Sequence, residues 1–188
     1  MGREEIGLNA TGQFQAMALQ QALAQVPLGR VYSSPILRAR ETAEILTEAR
    51  DLDIIDDERL VEVSYGDWVG KTFHEVREQP GYVPYFKRIE TPVAPNGETL
   101  YQVRDRILEF FSQVKREAPE ETVVAVSHAD TIKCMLMALL EIPFENIWKF
   151  RIDNVSISLV ESDHFGDRVI CLNQRGDVDR LFVTRFTF

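Results

Sequence analysis

The chain has 188 residues, a length that fits one domain of ordinary size. Lys and Arg total 21 against 30 Asp and Glu, so the formal net charge is −9, which argues against a nucleic acid or an anionic membrane as a partner. Apolar residues make up 45% of the chain, enough for a sizeable core, and no apolar stretch reaches the roughly 18 residues that a membrane span needs.

Helices and strands alternate in the first third of the chain. Residues 12–26 predict a helix, because their apolar side chains share one face at the helical period. Residues 29–34 (GRVYSS) are short and β-prone, which predicts a strand. Pro35 suits the first turn of a second helix over 35–50, and residues 51–63 predict a connection with a short strand.

Residues 66–98 differ in character from the rest of the chain. They contain five aromatic residues and four prolines, which predicts an irregular cap over one end of a single domain. Trp68 and Phe73 are expected to pack within this cap rather than contact a ligand. A long helix over 97–119 follows, with Leu100, Val103 and other apolar residues facing the core.

The second half of the chain predicts a parallel strand followed by a helix and further strands. Residues 122–127 (TVVAVS) form a continuous apolar run of strand length, as in a buried parallel strand, and residues 130–142 predict the helix after it. Three late segments also predict strands: VSISLVE, RVICLN and RLFVTRFTF. We therefore expect an α/β three-layer sandwich, a mixed, mostly parallel sheet with helices on both faces.

The two cysteines, Cys134 and Cys171, both lie in apolar runs. They are expected to be small buried residues in a reducing compartment rather than a disulfide pair. Neither begins a C-x5-R loop, which argues against a cysteine phosphatase. The first residues, MGREEIGLN, lack the apolar core of a secretion signal, so the expected location is the cytoplasm.

Two strand-to-helix junctions carry the residues that predict a binding site. In an open α/β sheet, ligands bind beyond the carboxyl ends of the strands. The segment VYSSPILRARETAE brings Ser34 and Arg38 to one such end, and VVAVSHADTIK brings His128 and the backbone N–H groups of Ala129 and Asp130 to another. Helix N-termini favour anions, and a guanidinium adds hydrogen bonds of about 1.5–3 kcal/mol each. Arg38 and His128 are therefore predicted to hold a phosphoryl group.

Five blocks of the sequence resemble the histidine phosphatase superfamily, the phosphoglycerate-mutase-like proteins. They occur in the family's order and cover most of the chain: LNATGQFQAMALQQAL, VYSSPILRARETAEIL, LVEVSYGDWVG, PNGETLYQVRDRI and VVAVSHADTIK. The variant SHAD, where many members have SHGG, resembles a bacterial phosphatase branch rather than the glycolytic mutases.

The resemblance implies a role for each matching residue. Arg38 matches the phosphate-binding arginine, Glu62 the acid that protonates the leaving oxygen, and His128 the histidine that stabilises charge on the transferred phosphoryl group. Ser34 and Ala129 complete the predicted binding site. The implied activity is hydrolysis of a phosphate monoester without metal or cofactor, acting on a small phosphorylated molecule or inorganic phosphate. The oligomeric state stays open, with a homodimer among the alternatives.

One part of the family's machinery does not occur in this sequence. The family's nucleophile is a histidine in an Arg-His-Gly motif after the first strand, and it forms a phosphohistidine. The chain's histidines are His74, His128 and His164, and neither His74 nor His164 follows a strand with adjacent Arg and Gly. We consider three explanations: a truncated form of an active phosphatase, a relative that binds phosphorylated ligands without turnover, and a second chain that supplies the missing strand. Residues 181–187 resemble the family's opening strand and are hypothesised to occupy or neighbour its position.

Simpler interpretations were weighed for each candidate. His128 alone would suit a turn, Arg38 could be a solvated helix arginine like Arg40, and Glu62 lies in an acidic region. The run DLDIIDDE predicts a solvated surface rather than a metal site. A hydrolase using Ser34, His128 and Asp130 lacks a nucleophile elbow, and Asp130 is interpreted instead as the N-cap of the following helix.

Overall fold

The computed structural model describes residues 2–79, 82–84, 87 and 89–176. Within these residues, five α-helices span Ala10–Ala22 (α1), Leu37–Thr47 (α2), Phe73–Arg77 (α3), Leu100–Glu117 (α4) and Ala129–Leu139 (α5). Five strands span Arg30–Ser33 (β1), Ile54–Asp56 (β2), Val123–Val126 (β3), Ile157–Asp163 (β4) and Gly166–Gln174 (β5). The order of helices and strands matches the prediction apart from α3, which lies in the segment expected to be irregular, and boundaries differ by a few residues. The predicted strand RLFVTRFTF lies outside the described residues.

A parallel sheet of three strands positions the predicted site. Its strand order is β2-β1-β3, so β1 lies in the middle. Arg30 of β1 pairs with Val123 of β3, and Ser33 pairs with Val126, so the two strands end level with each other. The segments that leave β1 and β3 therefore start side by side at the carboxyl edge of the sheet.

Helices cover both faces of this sheet. Alternate residues of a strand point to opposite faces. Val124 packs against Leu23 and Leu46 of the α1–α2 side, whereas its neighbour Val123 packs against the cluster that includes Phe110 of α4. The predicted α/β sandwich is thereby confirmed.

The late strands do not simply extend the parallel sheet. β4 and β5 form an antiparallel hairpin that makes a separate two-stranded sheet, although Ile157 of β4 packs against the same cluster as Val124. Within the described ranges, β3 pairs with β1 alone, and Ala125 is exposed. The prediction that 122–127 is fully buried is wrong for this reason. Residues 181–187 lie outside the described residues, so their hypothesised place in the sheet stays a prediction.

Two helix starts differ from the sequence expectation. Helix α2 begins at Leu37, because Ile36 is still extended at the N-cap, so Pro35 precedes the first turn. Helix α5 begins at Ala129 with His128 as its N-cap, and Asp130 is the second helical residue. The predicted N-cap role of Asp130 is therefore wrong.

The cap contains short ordered pieces among irregular segments. Residues Gly66–Trp68 form one 3-10 turn, and a capping box between Thr72 and Glu75 starts α3. Gly66 has φ +43°, and a Cβ atom there would lie 2.0 Å from the Pro95 carbonyl oxygen, so two cap segments touch at this glycine. Trp68 packs against the core cluster of α4 and α5, as expected, but Phe73 is 70% exposed, so its predicted packing is wrong.

Both cysteines carry free thiols, as predicted. Cys134 is fully buried, and Cys171 is half-buried. None of the helices in the described ranges is long and apolar enough to cross a membrane. Those ranges also hold no group of three or more His, Cys, Asp or Glu side chains arranged to bind a metal ion.

Candidate functional site

The predicted site residues meet where β1 and β3 end. Because Ser33 lies opposite Val126, Ser34 and His128 leave the sheet next to each other. Arg38 belongs to the first turn of α2, which starts just after β1. Ala129, the other predicted binding residue, opens α5, so the free N–H groups of that helix point toward the same rim.

Arg38 and His128 are in direct contact. Nη2 of Arg38 lies 3.1 Å from Nδ1 of His128. A guanidinium can only donate hydrogen bonds, so Nδ1 accepts, and the proton of the neutral ring is on Nε2. Nε2 then donates to the hydroxyl oxygen of Ser34 at 2.8 Å. The three side chains form one hydrogen-bonded row.

This row does not make Ser34 a nucleophile. In a serine hydrolase, one histidine nitrogen accepts the serine proton while a carboxylate accepts from the other nitrogen. Here Nε2 of His128 donates to Ser34, and its other nitrogen faces a guanidinium. The Asp130 carboxylate instead accepts from the Tyr65 hydroxyl at 2.6 Å and from Lys133 at 3.0 Å. The arrangement contradicts the hydrolase alternative.

The surroundings of His128 are electropositive. Burial lowers the pKa of His128 to about 3, and the charges of Arg38, Arg106 and Arg3 act in the same direction. The imidazole is only 6% exposed, so it is neutral near pH 7. Although the whole chain carries −9, this rim gathers positive charge and favours an anion.

Hydrogen bonds from the α5 junction fix the segment that carries Glu62. The Ser127 hydroxyl donates to the Leu60 carbonyl at 2.7 Å, and the buried Thr131 hydroxyl donates to the Val61 carbonyl at 2.7 Å. These two residues flank His128 in sequence. Glu62 is thereby held beside the same strand-to-helix junction as His128.

The Glu62 side chain is adapted to hold a proton near neutral pH. Burial raises the pKa of Glu62 to about 7, and the nearby Asp130 carboxylate adds to the effect. The backbone N–H groups of Val63 and Asp130 and the Arg38 charge oppose it. A carboxyl group that titrates near neutrality can donate a proton to a leaving oxygen.

Residues near the N-terminus complete the surroundings of Arg38. Its Nη2 group donates to the Gly2 carbonyl at 2.7 Å, and its Nη1 group donates to the Glu4 carbonyl at 3.2 Å. An anion that binds the guanidinium competes with these two carbonyls. Sequence reasoning missed both partners, because a backbone carbonyl leaves no signature in residue type.

An ion-pair cluster links the N-terminal segment to α4 beneath the site. Glu98 accepts from Arg3 at 2.6 Å and from Arg106 at 3.2 Å, while Arg3 also donates to the Glu62 carbonyl at 2.8 Å. The Arg106 and Arg3 charges reach His128, so these residues contribute to the electropositive rim. The sequence contains no short motif that would have identified them.

Three comparisons place the chain among known proteins. The profile of the histidine phosphatase superfamily (branch 1) matches residues 1–175. Phosphoserine phosphatase 1 of Hydrogenobacter thermophilus is 34% identical over 170 residues, which cover 88% of this chain and 80% of the relative.

Two solved structures share the fold. A mycobacterial glucosyl-3-phosphoglycerate phosphatase in complex with inorganic phosphate superposes with a TM-score of 0.83 at 26% identity, covering 93% of this chain and 90% of the other. A mutant phosphoserine phosphatase from Entamoeba histolytica, with alanine in place of a histidine and in complex with phosphoserine, superposes with a TM-score of 0.80 at 25% identity, covering 92% of this chain and 87% of the other.

Proposed function

We infer the function from one premise: the chain belongs to the histidine phosphatase superfamily. We propose that Arg38 and His128 bind the phosphoryl group of a small phosphate monoester, with Ser34 and the N–H of Ala129 completing the site. Glu62 is the proton donor to the leaving oxygen. The observation that carries this proposal is the 3.1 Å contact between Arg38 and His128 at the level ends of two parallel strands.

The phosphoryl site follows from donors that converge on one point. Arg38 offers a forked guanidinium, and charge-assisted hydrogen bonds to an anion are about twice as strong as neutral ones. His128 is neutral in the unliganded chain, but an anion dianionic at pH 7 favours its charged form. A phosphate that draws the Arg38 guanidinium away from Nδ1 frees that nitrogen to take a proton, and the ring then supplies a second charged donor.

The donor role of Glu62 follows from its protonation near neutrality. A leaving alkoxide requires a proton in the transition state, and a carboxylic acid with a pKa of about 7 is half protonated at that pH. Ser127 and Thr131 hold the backbone beside it at fixed distances, so its position relative to His128 is defined.

The nucleophile is the component that this sequence does not supply. The sequence contains no Arg-His-Gly triplet. His74 has an 85% exposed side chain, and His164 lies in the turn between β4 and β5, so neither reaches the rim that holds His128. We therefore propose that the chain as given binds phosphorylated ligands with little turnover. The solved phosphoserine phosphatase with alanine in place of a histidine is in complex with phosphoserine, which supports ligand binding by this fold when one histidine is absent.

Phosphate binding tests the site directly. Calorimetric titration with inorganic phosphate and with vanadate should detect weak binding by the wild-type chain. Arg38→Met should weaken it at least tenfold, because a charged donor is lost. Arg40→Met is the matched control, since Arg40 lies on the same helix but pairs with Glu44 and Asp56. Equal affinities for Arg38→Met and wild type would refute the proposed phosphoryl site.

Turnover separates the binding protein from the enzyme. The chain as given should hydrolyse p-nitrophenyl phosphate only slightly. Rapid hydrolysis that disappears in His128→Ala would refute the missing-nucleophile argument. A longer version with an apolar strand and Arg-His-Gly ahead of residue 2 should gain activity.

We also propose that the cap over residues 66–98 determines which substrate binds.

A further inference from the structure

Asp130 is a buried acidic residue for which the proposed reaction has no direct use. It is 6% exposed and lies at the start of α5, two residues after His128. A buried carboxylate is costly unless it is paired and hydrogen-bonded. Here the Tyr65 hydroxyl donates to one oxygen at 2.6 Å, and Lys133 donates to the other at 3.0 Å. Both partners stabilise an anion, so this position holds a fixed negative charge.

This fixed charge lies beside Glu62. Thr131, which follows Asp130, donates its hydroxyl to the carbonyl of Val61, which precedes Glu62, at 2.7 Å, so the two acidic residues are neighbours at the same junction. Cys134 is fully buried one helical turn further along α5. Burial raises the pKa of its thiol, and the charges of Asp130 and Glu62 add to this effect. Two neighbouring carboxyl groups do not both ionise readily, and the one with better partners takes the charge.

The partners of the two groups decide which one stays protonated. Asp130 has a hydroxyl and an ammonium group as donors, whereas among the described residues the Glu62 carboxyl group accepts from the backbone N–H of Val63 at 2.9 Å. The charged and titratable groups in this cluster come from several parts of the chain: Arg3, Arg38, Tyr65, Glu98, Arg106, His128 and Lys133.

We propose that Asp130 is a positioning residue whose carboxylate, fixed by Tyr65 and Lys133, holds the Glu62 carboxyl group in its proton-donating form. This inference rests on the proposed role of Glu62. It assigns a function to Asp130, the aspartate of the SHAD sequence. A protonated Glu62 also carries no negative charge against the incoming phosphate, so the same device assists anion binding.

Titration of Glu62 in the full chain tests the proposal without requiring turnover. Carbon-13 labelling of glutamate carboxyl groups, with the Glu62 signal assigned by its absence in Glu62→Gln, gives the midpoint by NMR. In Asp130→Asn the Glu62 midpoint should fall by at least about one pH unit, because the like charge is removed. Asp105→Asn is the control, since Asp105 is an exposed α4 carboxylate paired with Arg104.

Two further variants protect the test from ambiguity. Tyr65→Phe removes the hydroxyl donor to Asp130, so the negative charge beside Glu62 is held less firmly and the Glu62 midpoint should fall. Asp130→Asn with Lys133→Met should keep a lowered midpoint, which excludes the unmasked ammonium as the cause. Unchanged Glu62 midpoints in Asp130→Asn and Tyr65→Phe would overturn the proposal. Loss of phosphate binding by the wild type would instead count against the proposed function alone.

Discussion

The buried imidazole of His128 should make the stability of the chain depend on pH. Its pKa is lowered from 6.5 to about 3 in the folded state, so between these values the unfolded chain binds the extra proton. The folded chain is therefore most stable, as far as His128 is concerned, above pH 6.5, and it loses this stability as the pH falls toward about 3. In this window the free energy of unfolding falls by about 1.4 kcal/mol for each pH unit of acidification. Acidification from pH 6.5 to 4.5 therefore lowers it by about 3 kcal/mol, whereas the total free energy of unfolding of a typical domain is about 5–15 kcal/mol.

Glu62 opposes this dependence. Its pKa is raised from 4.5 to about 7, so between these values the folded chain binds the extra proton. The stabilisation from Glu62 is complete below pH 4.5 and is lost as the pH rises through about 7. In the interval from 4.5 to 6.5 the two contributions have opposite slopes. The combined effect of these two groups on the free energy of unfolding of the wild-type chain should therefore change little between pH 4.5 and 6.5.

Single substitutions separate the two contributions. Urea unfolding, followed by the fluorescence of Trp68 and Trp148, should be measured at pH 4.5, 5.5 and 6.5 for wild type, His128→Asn and Glu62→Gln. The free energy of unfolding of His128→Asn relative to wild type should rise by about 1.4 kcal/mol for each pH unit of acidification. For Glu62→Gln it should fall over the same interval. Relative stabilities that do not change across the three pH values would refute the assigned burial and protonation of both groups.

Two other predictions concern ligand binding and the cap. Phosphate binding at pH 7 should be accompanied by proton uptake onto His128, which calorimetry in buffers of different ionisation enthalpy measures; an enthalpy independent of the buffer would contradict it. Gly66→Ala should destabilise the chain more than Gly166→Ala in urea unfolding. Both positions have positive φ, where a non-glycine residue costs about 1–3 kcal/mol, but only at Gly66 would the added Cβ lie 2.0 Å from the Pro95 oxygen. Equal losses at the two glycines would show that the cap segments separate easily.

The meeting of Arg38 and His128 could be predicted from the sequence. Both follow short apolar strands, and parallel strands place their carboxyl ends at one edge of a sheet. The level register of β1 and β3 then brings the two side chains to 3.1 Å. Periodicity also identified the core face of α4, where Leu100 and Val103 are fully buried.

Other features depend on tertiary contacts that residue types do not encode. The carbonyls of Gly2 and Glu4 reach Arg38 only because the N-terminal segment lies across α2. The sequence favours a helix-cap role for Asp130, because that is the common role of an aspartate before a helix. Its buried pairing with Tyr65, 65 positions away in sequence, carries no local signal.

The exposed Ala125 of β3 has a consequence for how the chain behaves in a concentrated solution. Among the described residues β3 pairs with β1 alone, and a strand paired on one side presents a row of backbone N–H and C=O groups that can template an extended segment of the same chain or of another molecule. The residues of β3 are all Val or Ala, without the lysines or prolines that usually blunt such an edge. Repulsion between molecules that each carry −9 opposes this contact at low ionic strength, and salt screens that repulsion. If this edge is open, self-association of the chain should therefore increase as salt is added; if residues 181–187 cover it, self-association should not respond to salt in this way.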